Sequence, residues 1–294
     1  TSHPRSIEAP AEDFRINAIG TFRLLETLRA WSMLSDTMLR RKKAPRLVFV
    51  SSAKVYGENV SPRFHDLIQA DKRLTLGATL TQCLGHQYGL DEHCPLGDQT
   101  IMTPFGVSKA TADLMCQQYA RLYDLDIVVL RPGCFTGQSS LAVEQQNWLP
   151  MLVRAAVRGE TFPCYGFGGR QVRSLLHVDD LARAVLACVD ANGTNRRPVT
   201  SGQWDDGDHW RWHGDVFNVD GGPQNALSIL EAVDVIYEIA GKRVELRHEA
   251  ARPGDWPWYC GSYRKIEQAL GWKPTISVGQ IIQELCDEGL RAAL

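Results

Sequence analysis

Two short runs of apolar residues constrain the fold of this chain more than any other feature. Residues 47–50 read LVFV and residues 127–130 read IVVL, and neither run alternates with polar residues. A continuous apolar run of this length is typical of a strand in a parallel sheet that is covered on both faces. Helical spacing of apolar residues covers 14–31, where Asp13 is predicted to cap the helix, and 105–123. This order of elements predicts an α/β protein with a doubly wound parallel sheet.

Composition sets broad limits on what the chain can be. With 294 residues, of which 44% are hydrophobic, it can bury a sizeable core as one large or two small domains. A formal net charge of −2 gives no overall attraction to nucleic acid, and the basic run 40–43 has no interleaved aromatic residue. No apolar run approaches the ~18 residues that a membrane span needs. We therefore expect neither a nucleic-acid partner nor a membrane partner.

The cysteines bear on the compartment and on metal binding. All eight are scattered without a C-x-x-C pair, which favours free thiols in a reducing, cytoplasmic setting. One group could be imagined as zinc ligands: Cys83, His86, His93 and Cys94. Its spacing matches no standard zinc motif, so we expect no metal site.

Polar side chains follow the first strand, where open α/β sheets bind their ligands. Ser51 and Ser52 come directly after residues 47–50, in the stretch LVFVSSAKVYG. Further along, the stretch TPFGVSK places Phe105 and Lys109 four residues apart, which puts them on one face of a helix.

These two stretches resemble the catalytic signatures of extended short-chain dehydrogenases, in the NAD-dependent epimerase/dehydratase family. In that family a Ser or Thr after the strand faces a Tyr and a Lys one helical turn apart. The resemblance implies that Ser52 is the hydroxyl, that Lys109 is the lysine and that Phe105 stands in the place of the tyrosine. It also implies NAD as the cofactor, with Ser51, Lys109 and Arg131 beside it.

Phe105 decides what the resemblance means for activity. A free phenol titrates near pH ~10, so a tyrosine serves as a base only when a nearby ammonium favours its ionised form. Phe105 keeps the position but cannot carry a proton. Tyr56 and Tyr88 are alternative bases, and neither has a lysine at helical spacing. We expect a reaction centre that has lost its base.

The second half of the chain carries a substrate-side pattern. Residues 165–180, YGFGGRQVRSLLHVDD, are similar to the nucleotide-sugar-binding stretch of the same family, and residues 252–255 match its R-P-G-D. The resemblance implies that Arg173 and Arg252 contact a diphosphate, which suits planar guanidinium groups that bond two oxygens at once. It places three more residues on the substrate side: Asp255, Gln171 and Trp148. Ser174 stands where the family usually has Asp.

Three further features indicate which subgroup of the family the chain resembles. Lys54, Cys134 and EQQNW at 144–148 indicate that the nearest subgroup is the 2-epimerases of CDP-linked dideoxyhexoses.

No glycine-rich turn of the form G-x-G-x-x-G follows any predicted strand, so the usual pyrophosphate cradle is missing. The resemblance implies a chain that begins just after the family's fourth strand. We expect an N-terminally truncated, Rossmann-like sheet, with a partial dinucleotide-binding domain over 1–133. A smaller nucleotide-sugar-binding α/β subdomain would cover 134–294, with some strands returning to the main sheet.

Three interpretations of function stay open. The chain is an impaired NAD-dependent epimerase of a nucleoside diphosphate sugar, or a non-catalytic pseudoenzyme that still binds such a sugar, or an inactive gene fragment. Phe105 and the absent glycine-rich turn favour the last two, whereas Ser52, Lys109 and Arg173 favour recent descent from an active enzyme. The resemblance also implies a homodimer, held by a four-helix contact between the two predicted helices of each copy.

Overall fold

A computed structural model describes residues 5–38, 45–60, 67–77, 89–98, 100–138, 147–191, 203–204 and 210–292. The strands are β1 (Leu47–Val50), β2 (Leu67–Gln69), β3 (Leu74–Leu76), β4 (Ile127–Pro132), β5 (Cys134–Thr136), β6 (Thr161–Tyr165), β7 (Val172–His177), β8 (Gln203–Trp204), β9 (Trp210–Arg211), β10 (His213–Val219), β11 (Ala226–Ser228), β12 (Glu245–Glu249) and β13 (Trp258–Tyr259). The α-helices are α1 (Arg5–Glu8), α2 (Pro10–Asp13), α3 (Gly20–Met38), α4 (Pro104–Tyr123), α5 (Trp148–Arg158), α6 (Val178–Val189), α7 (Ile229–Ala240), α8 (Arg264–Leu270) and α9 (Val278–Ala292). None of these described helices combines the length and apolarity that crossing a bilayer requires.

The main sheet confirms the α/β prediction. β4 lies between β1 and β10, and both pairings are parallel, with Val48 opposite Val128 and Val216 opposite Val129. Every residue of β4 is buried, as a continuous apolar run predicts for a central strand. Because the three strands run in one direction, their carboxyl ends meet at one edge of the sheet, which is where open α/β sheets bind ligands.

Helices cover both faces of this sheet. Ile127 and Val129 of β4 belong to a core with α3 and α4, while Val128 and Leu130 belong to another core with α6 and α8. Successive side chains of a strand point to opposite faces, so adjacent residues of one strand anchor two separate cores. This is the doubly wound arrangement that the order of elements predicts.

A second sheet is built around β7. β5 and β13 pair with β7 in parallel, and β11 pairs with it antiparallel. β6 and β12 form a separate parallel pair, and α5, α7 and α9 share one apolar core in this half of the molecule. The chain crosses between the two sheets more than once, because β10 lies in the main sheet and β11 returns to the second.

The predicted helix cap at Asp13 is wrong. Its backbone is helical (φ −61°, ψ −45°) and its side chain makes no capping hydrogen bond. A capping residue needs an extended backbone so that its side chain can reach back to a free N–H. Asp13 instead ends α2, is fully buried, and leads directly into the wider π-helical turn Phe14–Ile19 that joins α2 to α3.

Candidate functional site

A cavity of about 390 Å³ lies beside the carboxyl ends of β1 and β4 and is closed by residues of the second half of the chain. Seven residues predicted from the sequence line it: Ser52, Phe105, Trp148, Gln171, Arg173, Arg252 and Asp255. The other three predicted residues, Lys109, Ser51 and Arg131, lie outside this lining. The fold therefore brings Ser52 and Phe105 of the expected reaction centre to one space with the expected substrate side, and leaves Lys109 outside it.

Ser52 begins the turn that follows β1. Its Oγ accepts a hydrogen bond from the backbone N–H of Lys54 at 3.2 Å, and its carbonyl accepts one from the N–H of Val55 at 3.3 Å. These bonds start the 3-10 segment Ala53–Val60 and hold the hydroxyl at the cavity wall. A serine hydroxyl that accepts one bond still has its own proton to donate, so Ser52 can bond an oxygen of a bound molecule.

Phe105 is presented to the cavity by the first turn of α4. Thr103 caps this helix, its Oγ1 accepting from the N–H of Gly106 at 3.4 Å, and Pro104 occupies the first helical position. The Phe105 side chain is half-buried and lines the cavity. The aromatic ring is in place, and the hydroxyl that a tyrosine would carry there is absent.

Lys109 lies one turn further along α4, outside the cavity lining. Its Nζ donates to the carbonyl of Val50 at 2.9 Å and lies 5.3 Å from the centroid of the Phe49 ring. Burial lowers the pKa of Lys109, because an ammonium is less stable away from water. The lysine is therefore tied to the carboxyl end of β1.

Ser51 and Arg131 are bonded to a buried carboxylate. The Oγ of Ser51 donates to Asp113 at 2.7 Å, and the guanidinium of Arg131 makes two bonds to the same carboxylate, at 2.9 and 3.0 Å. Arg131 is 4% exposed and Asp113 is 0% exposed. A buried charge is tolerated when it is paired and hydrogen-bonded in this way. The two side chains join β1 and β4 to α4.

Tyr56, the nearer alternative base, belongs to the same buried network. Its hydroxyl donates to Oδ1 of Asn218 at 2.7 Å and accepts from Arg131 at 3.2 Å. The side chain is 0% exposed, and burial raises the pKa of Tyr56. A phenol in this position cannot meet a molecule in the cavity. The other alternative, Tyr88, lies outside the described residues.

Two arginines reach the cavity from different elements. Arg173, on β7, donates to the carbonyl of Trp256 at 2.6 Å, and burial lowers the pKa of Arg173. Arg252, between β12 and β13, pairs with Asp255 (Nε to Oδ2, 2.9 Å), and its guanidinium carbon lies 4.3 Å from the centroid of the Tyr165 ring. A guanidinium has five N–H donors, so each arginine keeps donors for an anion in the cavity.

Gln171 and Trp148 complete the predicted substrate side. Nε2 of Gln171 donates to the carbonyl of Tyr165 at 3.1 Å, whereas its buried Oε1 has no hydrogen-bond partner among the described residues. Trp148 begins α5 and supplies an indole wall. A wall of this kind, with a spare acceptor beside it, suits a ligand that has both flat faces and hydroxyl groups.

The structure adds Lys54, which the sequence pattern indicated only as a subgroup marker. Its Nζ donates to the carbonyl of Gly254 at 3.2 Å and lies 4.1 Å from the centroid of the Trp256 ring. Burial lowers the pKa of Lys54 to about 7, and the positive charge of Arg173 acts in the same direction. Its position two residues after Ser52, in the turn that follows an apolar strand, is the signal that would have found it.

Asp220 lies behind the cavity wall formed by Gly133 and Tyr259. It is fully buried, and burial raises the pKa of Asp220 to about 7. A Cβ at position 133 would lie 1.9 Å from Oδ2 of Asp220, so only glycine fits there. Asp220 was missed from the sequence because the residues around it come from separate segments of the chain.

The residues that the structure describes contain no group of three or more His, Cys, Asp and Glu side chains able to hold a metal ion. Within the suggested zinc group, His93 is 94% exposed beside Asp91, and Cys94 is buried. Cys83 and His86 lie outside the described residues, so that grouping is untested.

Comparisons with known proteins agree with the fold. Residues 1–200 match the sequence model of the NAD dependent epimerase/dehydratase family. The chain is 26% identical over 287 residues to the CDP-paratose 2-epimerase of Salmonella typhi, covering 96% of this chain and 73% of that protein. It is also similar in structure to the UDP-glucose 4-epimerase of Thermotoga maritima, solved with UDP-glucose (TM-score 0.71, 20% identity, 100% of this chain and 75% of that one).

A further structural neighbour is the UDP-glucose 4-epimerase of Thermus thermophilus, solved in complex with NAD. It has a TM-score of 0.68 and 20% identity, and the match covers 100% of this chain and 76% of that one. Because the family model matches more than half of the chain, this protein belongs to the NAD dependent epimerase/dehydratase family.

Proposed function

We propose that the cavity binds a nucleoside diphosphate sugar and that the ancestral reaction of this site is hydride transfer and epimerisation of that sugar. The observation that carries the proposal is the convergence of Arg173 and Arg252 on the cavity that also holds Ser52. Two guanidinium groups from separate elements suit a diphosphate, whose oxygens accept paired N–H bonds. The similarity to a CDP-paratose 2-epimerase favours a CDP-linked sugar.

The proton step is where this site is impaired. Oxidising a carbinol carbon removes a hydride from carbon and a proton from its hydroxyl. Returning the hydride to the opposite face of the resulting carbonyl carbon, and the proton to its oxygen, gives the epimer. Ser52 can hold the reacting oxygen by a hydrogen bond. Phe105 occupies the place from which a phenol would take the proton, and it has no group that can do so.

We propose NAD as the cofactor of that reaction, in keeping with the family and with the neighbour solved with NAD. Bound NAD would supply the hydride acceptor. Lys109 lies at the carboxyl end of β1, where it could orient that cofactor. Ser51 and Arg131 instead direct their polar atoms to Asp113, and the sequence has no glycine-rich turn after its strands. The described residues therefore fit NAD only in part.

The second candidate function is a pseudoenzyme that binds the nucleotide sugar without turning it over, or an inactive gene fragment. Two observations favour it. Phe105 lines the cavity and has no group that can transfer a proton, and the Tyr56 hydroxyl is hydrogen-bonded to Asn218, away from the cavity. In this case Arg173 and Arg252 would keep their binding role, and the reaction centre would have none.

The outer faces of two helices support a homodimer. Leu24 (46% exposed) and Trp31 (50%), seven residues apart on α3, and Leu114 (44%) and Leu122 (71%) on α4 present large apolar side chains to solvent. Apolar groups gathered on one face are typical of a protein–protein contact. We propose that this face, which we call the α3/α4 face, forms a four-helix contact with a second copy.

The division into a dinucleotide-binding part over 1–133 and a sugar-binding part over 134–294 is likewise a proposal. It is supported by the second sheet, whose strands all lie within 134–294. The reducing, cytoplasmic setting is supported by the described cysteines, which are all free.

The proposal is tested by a binding and turnover assay with CDP- and UDP-sugars in the presence of NAD. We expect the wild-type chain to bind a nucleotide sugar with no detectable epimerisation, and Phe105→Tyr to gain turnover, because Lys109 lies one turn away to favour the phenolate. Phe135→Tyr is the matched control, since it adds the same hydroxyl to another phenylalanine that lines the cavity. Appreciable epimerisation by the wild-type chain would show that the site is not impaired. Failure to bind any nucleotide sugar would contradict the proposed function.

A further inference from the structure

The cavity holds an excess of positive charge. Among the described residues that line it, the charged side chains are Lys54, Arg173, Arg252 and Asp255. Asp255 is already bonded to Arg252. With Lys54 protonated, a formal surplus of two positive charges therefore faces a small space whose other walls are largely aromatic and aliphatic. Like charges repel more strongly in such a space than in water, so an anion is the occupant that stabilises the arrangement.

Lys54 places its ammonium beside the loop that carries Arg252. Its Nζ bonds the carbonyl of Gly254, in the same loop as Arg252, and lies over the ring of Trp256, whose carbonyl binds Arg173. The side chain thus spans from the turn beside Ser52 to the arginine loop. One of its three N–H groups is used by Gly254, and the geometry leaves the ammonium in the cavity wall.

We propose that Lys54 is a third cationic ligand of the diphosphate, supplied by the turn after β1 and acting with Arg173 and Arg252. The inference rests on the proposed function, because it takes a nucleoside diphosphate sugar as the occupant. The two negative charges of a diphosphate diester match the formal surplus of the three cations and one carboxylate. Lys54 also links the anion directly to the segment that carries Ser52, so it helps to set where the sugar lies.

Binding should then be accompanied by proton uptake. In the free protein burial holds the pKa of Lys54 at about 7, with Arg173 on β7 and Arg252 in the loop lowering it and Asp255 and the thiol of Cys134 on β5 opposing them. A bound dianion favours the ammonium, so it raises this pKa. Above pH 7 the free protein must therefore take up a proton in order to bind. Affinity should fall about tenfold between pH 6 and pH 8.

Isothermal titration calorimetry tests this with UDP-glucose and CDP-glucose, at pH 6 and pH 8, in two buffers that differ in heat of ionisation. We expect uptake of about one proton at pH 8 and little at pH 6 for the wild-type chain. Lys54→Arg stays charged at both pH values, so it should bind equally at both without proton uptake. Lys54→Met should bind about tenfold more weakly than the wild-type chain at pH 6, with no uptake at pH 8.

Lys72→Met is the matched control, because Lys72 is 46% exposed, pairs with Asp234 and does not line the cavity. It should keep wild-type affinity and wild-type proton uptake. Thermal unfolding followed by circular dichroism checks that the Lys54 variants fold. We expect Lys54→Met to be about as stable as the wild-type chain, since it removes a half-buried charge whose hydrogen bond is to a backbone carbonyl.

The possible failures are distinguishable. If no nucleotide sugar binds the wild-type chain at either pH, the proposed function fails and this inference fails with it. If the wild-type chain binds but Lys54→Met keeps its affinity and its proton uptake, only this inference is wrong.

Discussion

At the scale of single residues, two ionisable groups at the cavity, the buried Asp220 and the half-buried Lys54, have pKa values displaced in opposite directions. Burial raises the pKa of Asp220 and lowers that of Lys54, and both reach about 7. The cause is the same, since a low-dielectric surrounding disfavours whichever form is charged. Near pH 7 both groups are therefore neutral in a part of the molecules. Stability then depends on pH through Asp220, and ligand binding depends on pH through Lys54.

Asp220 makes a prediction for stability. Because its pKa is higher in the folded protein than in the unfolded chain, the folded state binds more protons between about pH 4 and pH 7. Stability should therefore fall as pH rises through this window, by about 2 kcal/mol between pH 5 and pH 7 from this group. In Asp220→Asn, the free energy of unfolding, measured with urea at pH 5 and at pH 7, should lack this decrease. Asp179→Asn, at a side chain 77% exposed, is the control. An Asp220→Asn protein with the wild-type pH dependence would contradict the assignment.

At the scale of elements, α4 connects the reaction centre to the outer surface. Its first turn presents Phe105, its next turn ties Lys109 to β1, and Asp113 holds Ser51 and Arg131. The opposite side of the helix carries the exposed apolar residues of the α3/α4 face. One helix thus has two apolar sides, and only the side toward the sheet is covered within the described part of the chain.

The α3/α4 face makes a prediction for assembly. Leu114→Glu places a charge on this face, and burying a charge without a partner in a dimer contact is costly, so the variant should be monomeric. Leu186→Glu, at a leucine 57% exposed on α6, should leave the dimer intact. Light scattering after size-exclusion chromatography measures both. A monomeric wild-type chain, or a dimer that tolerates Leu114→Glu, would count against the proposed contact.

At the scale of the whole molecule, the cavity joins the main sheet to the second half of the chain. Ser52 and Gly133 follow strands of the main sheet, while Arg173 belongs to the second sheet and Arg252 to the loop before β13. A ligand that contacts both halves binds the folded protein and not the unfolded chain. Binding should therefore stabilise the complete fold.

This coupling predicts a thermal shift. A nucleotide sugar at a hundred times its Kd should add about 2.7 kcal/mol of stability to the wild-type chain. Arg252→Gln removes one cation from the cavity, so at the same ligand concentration we expect a clearly smaller rise in Tm. Arg247→Gln is the matched control, because Arg247 is 63% exposed on β12, pairs with Glu249 and lies outside the cavity. Equal shifts for the two variants would show that Arg252 does not hold the ligand.

Local patterns were enough to predict the strands Leu47–Val50 and Ile127–Pro132, the helix that begins at Pro104 and seven of the residues that line the cavity. Each of these depends on neighbours in the sequence: an apolar run, apolar residues at helical spacing, or a loop motif read as a unit. The positions of Ser52 and Phe105 followed in the same way, because both sit at the ends of such elements.

Packing between distant segments settled the partners of the remaining residues. Arg131 and Ser51 meet Asp113 because α4 lies across two strands, and Lys54 bonds Gly254, a residue 200 positions away. A side chain's neighbours across the molecule depend on the relative placement of sheets and helices, which no short stretch of sequence encodes. Burial then displaced the pKa values of Lys54 and Asp220, because solvent exclusion is a property of the assembled cavity and not of the residues themselves.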